Sequence, residues 1–122
     1  MAFLYNSDRR LKKNIIPLSN SLDKIVSLSG YSFDWKSSGK NDIGVIAQEV
    51  EKVFPQIVHE NADAAGTKYK SVEYGNLVAP IIEAIKELAS NVKDNTTEIN
   101  TLKSENAELK KRLDVIEARL AK

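Results

Sequence analysis

Two hydrophobic rhythms divide the chain near residue 77. Ahead of that point the signals are short and mixed. Leu22, Ile25, Val26 and Leu28 recur at helical spacing after Pro17 and stop at Gly30, which predicts a short helix. Tyr31, Phe33 and Trp35 alternate with Ser32, Asp34 and Lys36, the period of a strand that buries one face. Residues 37–42, with two serines, a glycine, an asparagine and an aspartate, read as a turn. Ile46, Val50, Val53, Phe54 and Ile57 predict a short amphipathic helix whose end Pro55 disturbs. Residues 61–67 read as a mobile loop and residues 68–74 as a second short strand.

From Val78 onward the pattern becomes regular. Ile85, Leu88, Val92, Asn95, Ile99, Leu102, Asn106, Leu109, Leu113, Ile116 and Leu120 follow one another in steps of 3 and 4, a seam of about five heptads. Ile85, Val92, Ile99, Asn106, Leu113 and Leu120 take position a, and the others take d. Pro80 must sit near the start of this helix, since deeper in it would remove a backbone hydrogen bond. In a parallel, in-register coil each g residue faces the e residue five positions later on a neighbour. Glu98 then meets Lys103, Glu105 meets Lys110 and Arg112 meets Glu117, all opposite in sign. Exposed pairs of this kind contribute only ~0.2–1 kcal/mol, so they select orientation more than they stabilise. The residues therefore predict parallel self-association. They leave the strand number open, because Ile and Leu mix at a and d and the two asparagines restrict register without fixing a count.

Composition narrows the chemistry. The chain has 122 residues, no cysteine and a single histidine, His59. Thiolate metal sites, disulfides and any triad needing two imidazoles are excluded, and no metal site is expected. A net charge of +1 suggests neither nucleic acid nor an anionic membrane as partner. No apolar run approaches the ~20 residues that span a bilayer. Phosphate-cradling Gly-rich loops are absent, so no cofactor is required by any motif, and a nucleotide site without a motif stays open. A DNA-binding zipper needs a basic helix leading into the heptads, whereas residues 78–88 are largely apolar. Residues 1–6 read as the stub of a longer protein with an added Met1.

Three segments, in order, carry a resemblance. Ser7-Asp8-Arg9-Arg10-Leu11-Lys12 resembles an opening Ser-Asp-x-x-x-Lys. Gly44-Val45-Ile46-Ala47-Gln48-Glu49-Val50 through Pro55 is similar to a Gly-x-x-Ala-Gln-Glu-Val…Pro stretch. Tyr74-Gly75-Asn76-Leu77 through Ala84-Ile85-Lys86-Glu87-Leu88 is similar to a Tyr-x-x-Leu…Ala-Ile-Lys-Glu-Leu run entering a coil. Together they resemble the intramolecular chaperone and auto-processing domain that ends phage endosialidases, tailspikes, L-shaped tail fibres and neck appendages. A related domain occurs in a eukaryotic membrane-tethered transcription factor. Asn14 departs from the pattern, since many relatives carry an acidic residue there.

The resemblance implies a domain that helps three chains assemble an upstream β-rich fibre and then frees itself by cleavage before its serine. Carried onto this chain, the scissile bond is Asn6–Ser7, with Ser7 as nucleophile and Lys12 as its base. Such a domain acts in the host cytoplasm during virion assembly and is absent from the mature particle. The chemistry is reasonable: a serine without histidine is commonly activated by an amine. Ser7 Oγ reaches the Asn6 carbonyl through a five-membered ring, so proximity is built into the chain. An ordinary lysine is almost wholly protonated at pH 7, yet a single turnover tolerates slow chemistry. A barrier of ~21 kcal/mol already gives a half-life of minutes. Spacing adds a condition. On one helix Ser7 and Lys12 would lie ~140° apart, and on a strand they would face opposite sides. A turn must intervene, or Lys12 must come from a neighbouring chain, and we expect assembly to complete the site.

Read without the family, Ser7-Asp8 is a helix cap and residues 9–13 a solvated basic patch. Asp8 either orients the dyad or only caps. His59 is expected at the surface, and Tyr31, Phe33 and Trp35 are expected in the core. The overall expectation is an α+β head of residues 7–76 on a parallel, trimeric coiled-coil helix of residues 77–122. The competing expectation is a trimerisation and chaperone module that never cuts.

Overall fold

A computed structural model describes residues 4–122; residues 1–3 of the expected stub lie outside the described residues. The architecture is mixed, as the hydrophobic rhythms predict: two small sheets, two short helices and one long C-terminal helix. The chain divides into two compact units, Met1–Ala84 and Ile85–Lys122.

In the first unit the chain opens with a 3-10 turn, Arg9–Leu11, followed by helix α1, Ser21–Val26. Strands β1 (Tyr31–Asp34) and β2 (Asn41–Gly44) form an antiparallel hairpin in the register Tyr31 to Gly44 and Asp34 to Asn41. Helix α2, Ala47–Val53, follows, and Pro55 opens a 3-10 turn, Pro55–Ile57, where its missing N–H costs nothing. Strands β3 (Val58–Ala62) and β4 (Lys68–Val72) pair antiparallel from Val58–Val72 to Ala62–Lys68. A last 3-10 turn, Tyr74–Leu77, leads into helix α3, Val78–Leu120, with Pro80 in its first turn.

The core is small. Val50, Phe54, Ile57 and Leu77 form its centre, with Ile25, Leu28, Val45, Val53, Val58 and Val72 packed around them. The predicted helix of residues 46–57 is shorter than expected: α2 supplies Val50 and Val53, while Phe54 caps it and Ile57 comes from the following 3-10 turn. Burial of such side chains at ~1.5–3 kcal/mol each is the core's main stabilisation. Lys24 lays its ammonium over the Phe54 ring at 5.7 Å, closing the edge of the cluster.

Three expectations need correction. Tyr31, Phe33 and Trp35 do not make a fully buried face: Phe33 is half-buried, Tyr31 is 37% exposed and Trp35 51% exposed. Among the described residues β1 pairs with β2 alone, in a two-stranded sheet, and only part of its face is covered. Trp35 also lies beyond the strand, where it starts the turn closed by Gly39 N–H donating to Trp35 O at 2.7 Å. The predicted turn of residues 37–42 is correspondingly shorter, because Asn41 and Asp42 pair with Asp34 and Phe33 in the ladder. Residues 61–67 are not a loop throughout. Asn61 and Ala62 belong to β3, and the tip is closed by Asp63, whose carboxylate accepts from Ala65 N–H and Thr67 N–H at 2.9 Å. Gly66 takes φ 84, a left-handed value that glycine adopts without strain.

The second unit is the rest of α3. Every apolar a and d position stands half exposed or more, from 50% at Leu102 to 80% at Leu120. The whole helix, 43 residues at 1.5 Å each, runs about 65 Å.

Candidate functional site

The chemistry expected of residues 7–12 depends on a turn, and a turn is there. Asp8 is extended (φ −65, ψ 134) and caps the 3-10 helix, its carboxylate accepting the Arg10 N–H at 2.8 Å. The Arg10 guanidinium grips the same carboxylate with both arms, Nε to Oδ1 at 3.0 Å and Nη2 to Oδ2 at 2.9 Å. Leu11 N–H and Lys12 N–H then donate to the carbonyls of Asp8 and Arg9 at 3.0 and 3.1 Å. The Arg10 side chain, and then its N–H, hold the Asp8 carboxyl below its ordinary range, while Asp8 raises Arg10. Asp8 thus caps, and by capping it folds the chain back.

The consequence is a short contact. Lys12 Nζ donates to Ser7 Oγ at 2.6 Å within one chain. No neighbouring subunit is needed to bring the two together, which resolves the geometric condition set by their spacing. A neutral amine at this separation can accept the hydroxyl proton instead. Asn6 and Ser7 are both exposed, so the bond between them is accessible. Asn14, the departure from the family pattern, sits at φ 54, a left-handed backbone that asparagine tolerates better than most residues.

Ser7 and Lys12 border a cavity of about 460 Å³. Its other walls are Leu18, ahead of α1, and residues from far along the chain: Phe54, Gln56 and Ile57 after α2, and Gly75, Asn76, Val78, Ala79 and Pro80 at the entry to α3. The motif around Pro55 and the Tyr74–Leu77 turn therefore meet the first motif at one place. Sequence reasoning missed this convergence, and it missed a polar network beside it. His59 Nε2 contacts Glu73 Oε1 at 2.5 Å, and Asn76 Nδ2 donates to Glu73 Oε2 at 2.6 Å. His59 is a half-exposed surface residue as expected, but it has a partner.

A second contact ties the motifs together. Tyr74 Oη accepts the Val45 N–H at 3.0 Å, crossing 29 residues of sequence. It can do so because residue 44 is glycine. A Cβ there would lie 2.5 Å from Tyr74 Oη. Gln48 and Glu49 divide: Glu49 Oε1 accepts from the Tyr31 hydroxyl at 2.7 Å, while Gln48 lines a groove. That groove, about 700 Å³, is where the exposed aromatics lie, together with Ile46, Lys70 and Tyr74. Phe33 and Trp35 pack edge to face at 5.0 Å, and Trp35 Nε1 donates to Asp42 at 3.1 Å. Among the described residues no group of three His, Asp or Glu side chains gathers within reach of one metal ion. No helix of the described residues is long and apolar enough to cross a membrane.

Comparison with known proteins agrees with these motifs. Residues 7–59 match a family described as chaperone of endosialidase, which is a peptidase-like family of the self-cleaving kind. The long tail fiber protein Gp37 of Enterobacteria phage K3 is 34% identical over 93 residues, covering 72% of this chain and 8% of that protein. Its namesake in Salmonella phage S16 is 37% identical over 114 residues, covering 86% and 14%. The one from Enterobacteria phage M1 is 31% identical over 102 residues, covering 78% and 40%. The chain thus spans only a small part of the length of the first two of these relatives. With Ser7 opening both the matched segment and the turn that returns Lys12 to it, the chain carries a chaperone domain of the chaperone-of-endosialidase family, related to phage long tail fibre proteins.

Proposed function

We propose that this chain is a self-releasing assembly chaperone for a phage tail fibre, cutting once at its own Asn6–Ser7 bond. The observation that carries the reading is the 2.6 Å contact between Lys12 Nζ and Ser7 Oγ, directly after that bond. Ser7 Oγ adds to the Asn6 carbonyl carbon as its proton passes to the neutral Lys12 amine. The tetrahedral centre collapses by breaking the Asn6–Ser7 C–N bond, and the Lys12 ammonium returns the proton to the departing Ser7 nitrogen. An ester now links the Asn6 acyl group to Ser7 Oγ. Water adds to it, and release yields the Asn6 carboxylate and a Ser7 with free amine and hydroxyl. The sequence needs no metal or cofactor, and Asp8 serves it by fixing the turn.

The assembly half of the proposal rests on exposed apolar surface. The seam of α3 is uncovered, and so are Leu11, Ile15 and Ile16 in the N-terminal arm. A core of this size does not balance that exposure in a lone chain. Parallel association of three copies through residues 77–122 covers the seam, each side chain gaining part of the ~1.5–3 kcal/mol that full burial is worth. The head of residues 7–76 then works on the fibre segment that precedes it, in the host cytoplasm during assembly, and leaves the finished particle. The client is a β-rich tail fibre, by analogy with the fibre proteins to which the chain is similar.

The test is a fusion carrying a folded reporter ahead of the chain, followed by intact mass. A product beginning at Ser7, lost in both Ser7→Ala and Lys12→Ala, supports the reading. A fusion that stays whole, while still trimerising and aiding its client, leaves a chaperone that does not cut. Sedimentation of the same material decides between three strands and two.

A further inference from the structure

The cleavage chemistry puts a negative charge on the Asn6 carbonyl oxygen, and nothing described so far receives it. Ser7 and Lys12 supply a nucleophile and a base. In acyl transfer the developing oxyanion is stabilised by hydrogen-bond donors fixed before reaction, and such donors usually give the largest single rate effect. The walls of the Ser7–Lys12 cavity hold two side-chain amides, Gln56 and Asn76. They differ in how they are held. Gln56 is exposed and has no hydrogen bond among the described residues that would orient it. Asn76 is clamped, since one N–H of Nδ2 donates to Glu73 Oε2 at 2.6 Å, and Glu73 is held in turn by His59 on its other oxygen. A carboxylate can only accept, so it fixes which way the amide faces. The nitrogen keeps one hydrogen bound and its second hydrogen unused. An amide whose nitrogen is fixed, with a donor to spare, in the wall of the cavity that Ser7 borders, is suited to receive an anion.

We infer that Asn76 is the oxyanion donor of the self-cleavage reaction, with Glu73 and His59 as the positioning residues that set its amide. The inference rests on the reading that Ser7 and Lys12 cut the Asn6–Ser7 bond. It also gives a purpose to Asn76 within the Tyr74-Gly75-Asn76-Leu77 turn of the third sequence motif, where Tyr74 and Leu77 serve anchoring and packing. Tyr74 anchors that turn to Val45, and Leu77 buries it in the core, so Asn76 is carried on a rigid support.

The test uses the reporter fusion and times the appearance of the Ser7 product in Asn76→Ala, Asn76→Asp, Asn76→Gln and Glu73→Gln. Removal of one oxyanion donor costs about 10²-fold in rate, so Asn76→Ala is expected to slow cleavage by about that factor. Asn76→Asp keeps the shape and loses the donor, and should be at least as slow. Asn76→Gln changes the shape and keeps the donor, and should recover part of the rate. Packing would produce the opposite order, with aspartate nearly normal and glutamine impaired. Glu73→Gln, which lets the amide turn over, should fall between wild type and Asn76→Ala. Melting temperature and oligomeric state, measured alongside, are expected to stay at wild-type values. Should Asn76→Ala fail to assemble, the isosteric Asn76→Asp still decides. If wild type cuts while Asn76→Ala and Asn76→Asp cut at its rate, or if Gln56→Ala alone shows the loss, the assignment to Asn76 is overturned. A wild-type fusion that never cuts, or a Ser7→Ala fusion that does, removes the underlying reading instead.

Discussion

Gly44→Ala should be the most informative single substitution outside the cleavage site. The added methyl carbon would lie 2.5 Å from Tyr74 Oη, about 1 Å inside ordinary contact, with Phe33 Cε1 and Tyr74 Cζ at 3.4 and 3.5 Å behind it. Something must move, and the hydroxyl is the atom in the way. If Tyr74 retreats, the Val45 N–H loses its acceptor, worth ~0.5–1.5 kcal/mol. Crowding in the packed region adds a cost of ~1–3 kcal/mol. A loss of about 2–3 kcal/mol is the expected total for Gly44→Ala, against about 1 kcal/mol for Tyr74→Phe. Tyr74→Phe also removes the obstructing oxygen. The double substitution should therefore be scarcely less stable than Tyr74→Phe alone, a coupling of about 2–3 kcal/mol in the sense of relief. Denaturant unfolding at one fixed chain concentration measures the cycle, since association contributes to stability. Because Tyr74 carries the turn that lines the Ser7 cavity, Gly44→Ala should also slow cleavage, and Tyr74→Phe should restore part of it in the double variant. Additive losses would refute the reasoning, because they would mean the methyl group and the hydroxyl never compete for the same space.

Other outcomes follow from the same contacts. Asp8→Ala removes the cap and the guanidinium clamp together, and should slow cleavage by several-fold while leaving the melting temperature nearly unchanged, as both groups are exposed. Because the Asp8 carboxyl is held below its ordinary value, its contribution to the turn is complete above about pH 4 and fades as pH falls through the depressed value. NMR of the Ser7 and Lys12 side chains across acid pH reports that loss. Leu102→Asp places a charge at a d position in the middle of the seam and should yield monomers in sedimentation. If those monomers cut at the wild-type rate, assembly does not control cleavage. Residues 61–67 are the expected client-facing arm, so replacing the β3–β4 tip, residues 63–67, with a two-residue turn should slow fibre assembly without changing head stability; unchanged assembly kinetics would remove that role.

Much of this molecule was legible in one dimension, for identifiable reasons. The apolar spacing around α2 showed because the helix and the 3-10 turn after it feed one core, so Val50, Phe54 and Ile57 had to recur. The α3 seam showed because a repeat of that length has no local alternative. Ser7 and Lys12 came from resemblance, and only coordinates reveal that Asp8 and Arg10 close the intervening turn. Tyr31 and Trp35 misled because alternation reports a surface awaiting cover, whichever molecule supplies it. Asn76 and Glu73 stayed hidden because their importance lies in a meeting of segments about 20 to 70 residues apart along the sequence. The one available hint was that Asn76 lies inside a motif whose apolar positions already had an explanation.

The local closure of the Ser7–Lys12 loop bears on timing. On the proposed mechanism, a pair that meets through its own five-residue turn is armed as soon as that turn forms, without waiting for distant segments. Any delay between synthesis and severance must then be imposed on the bond being cut rather than on the groups that cut it. The cavity wall from residues 75–80 is the part that this local turn cannot supply, since it comes from the far end of the head.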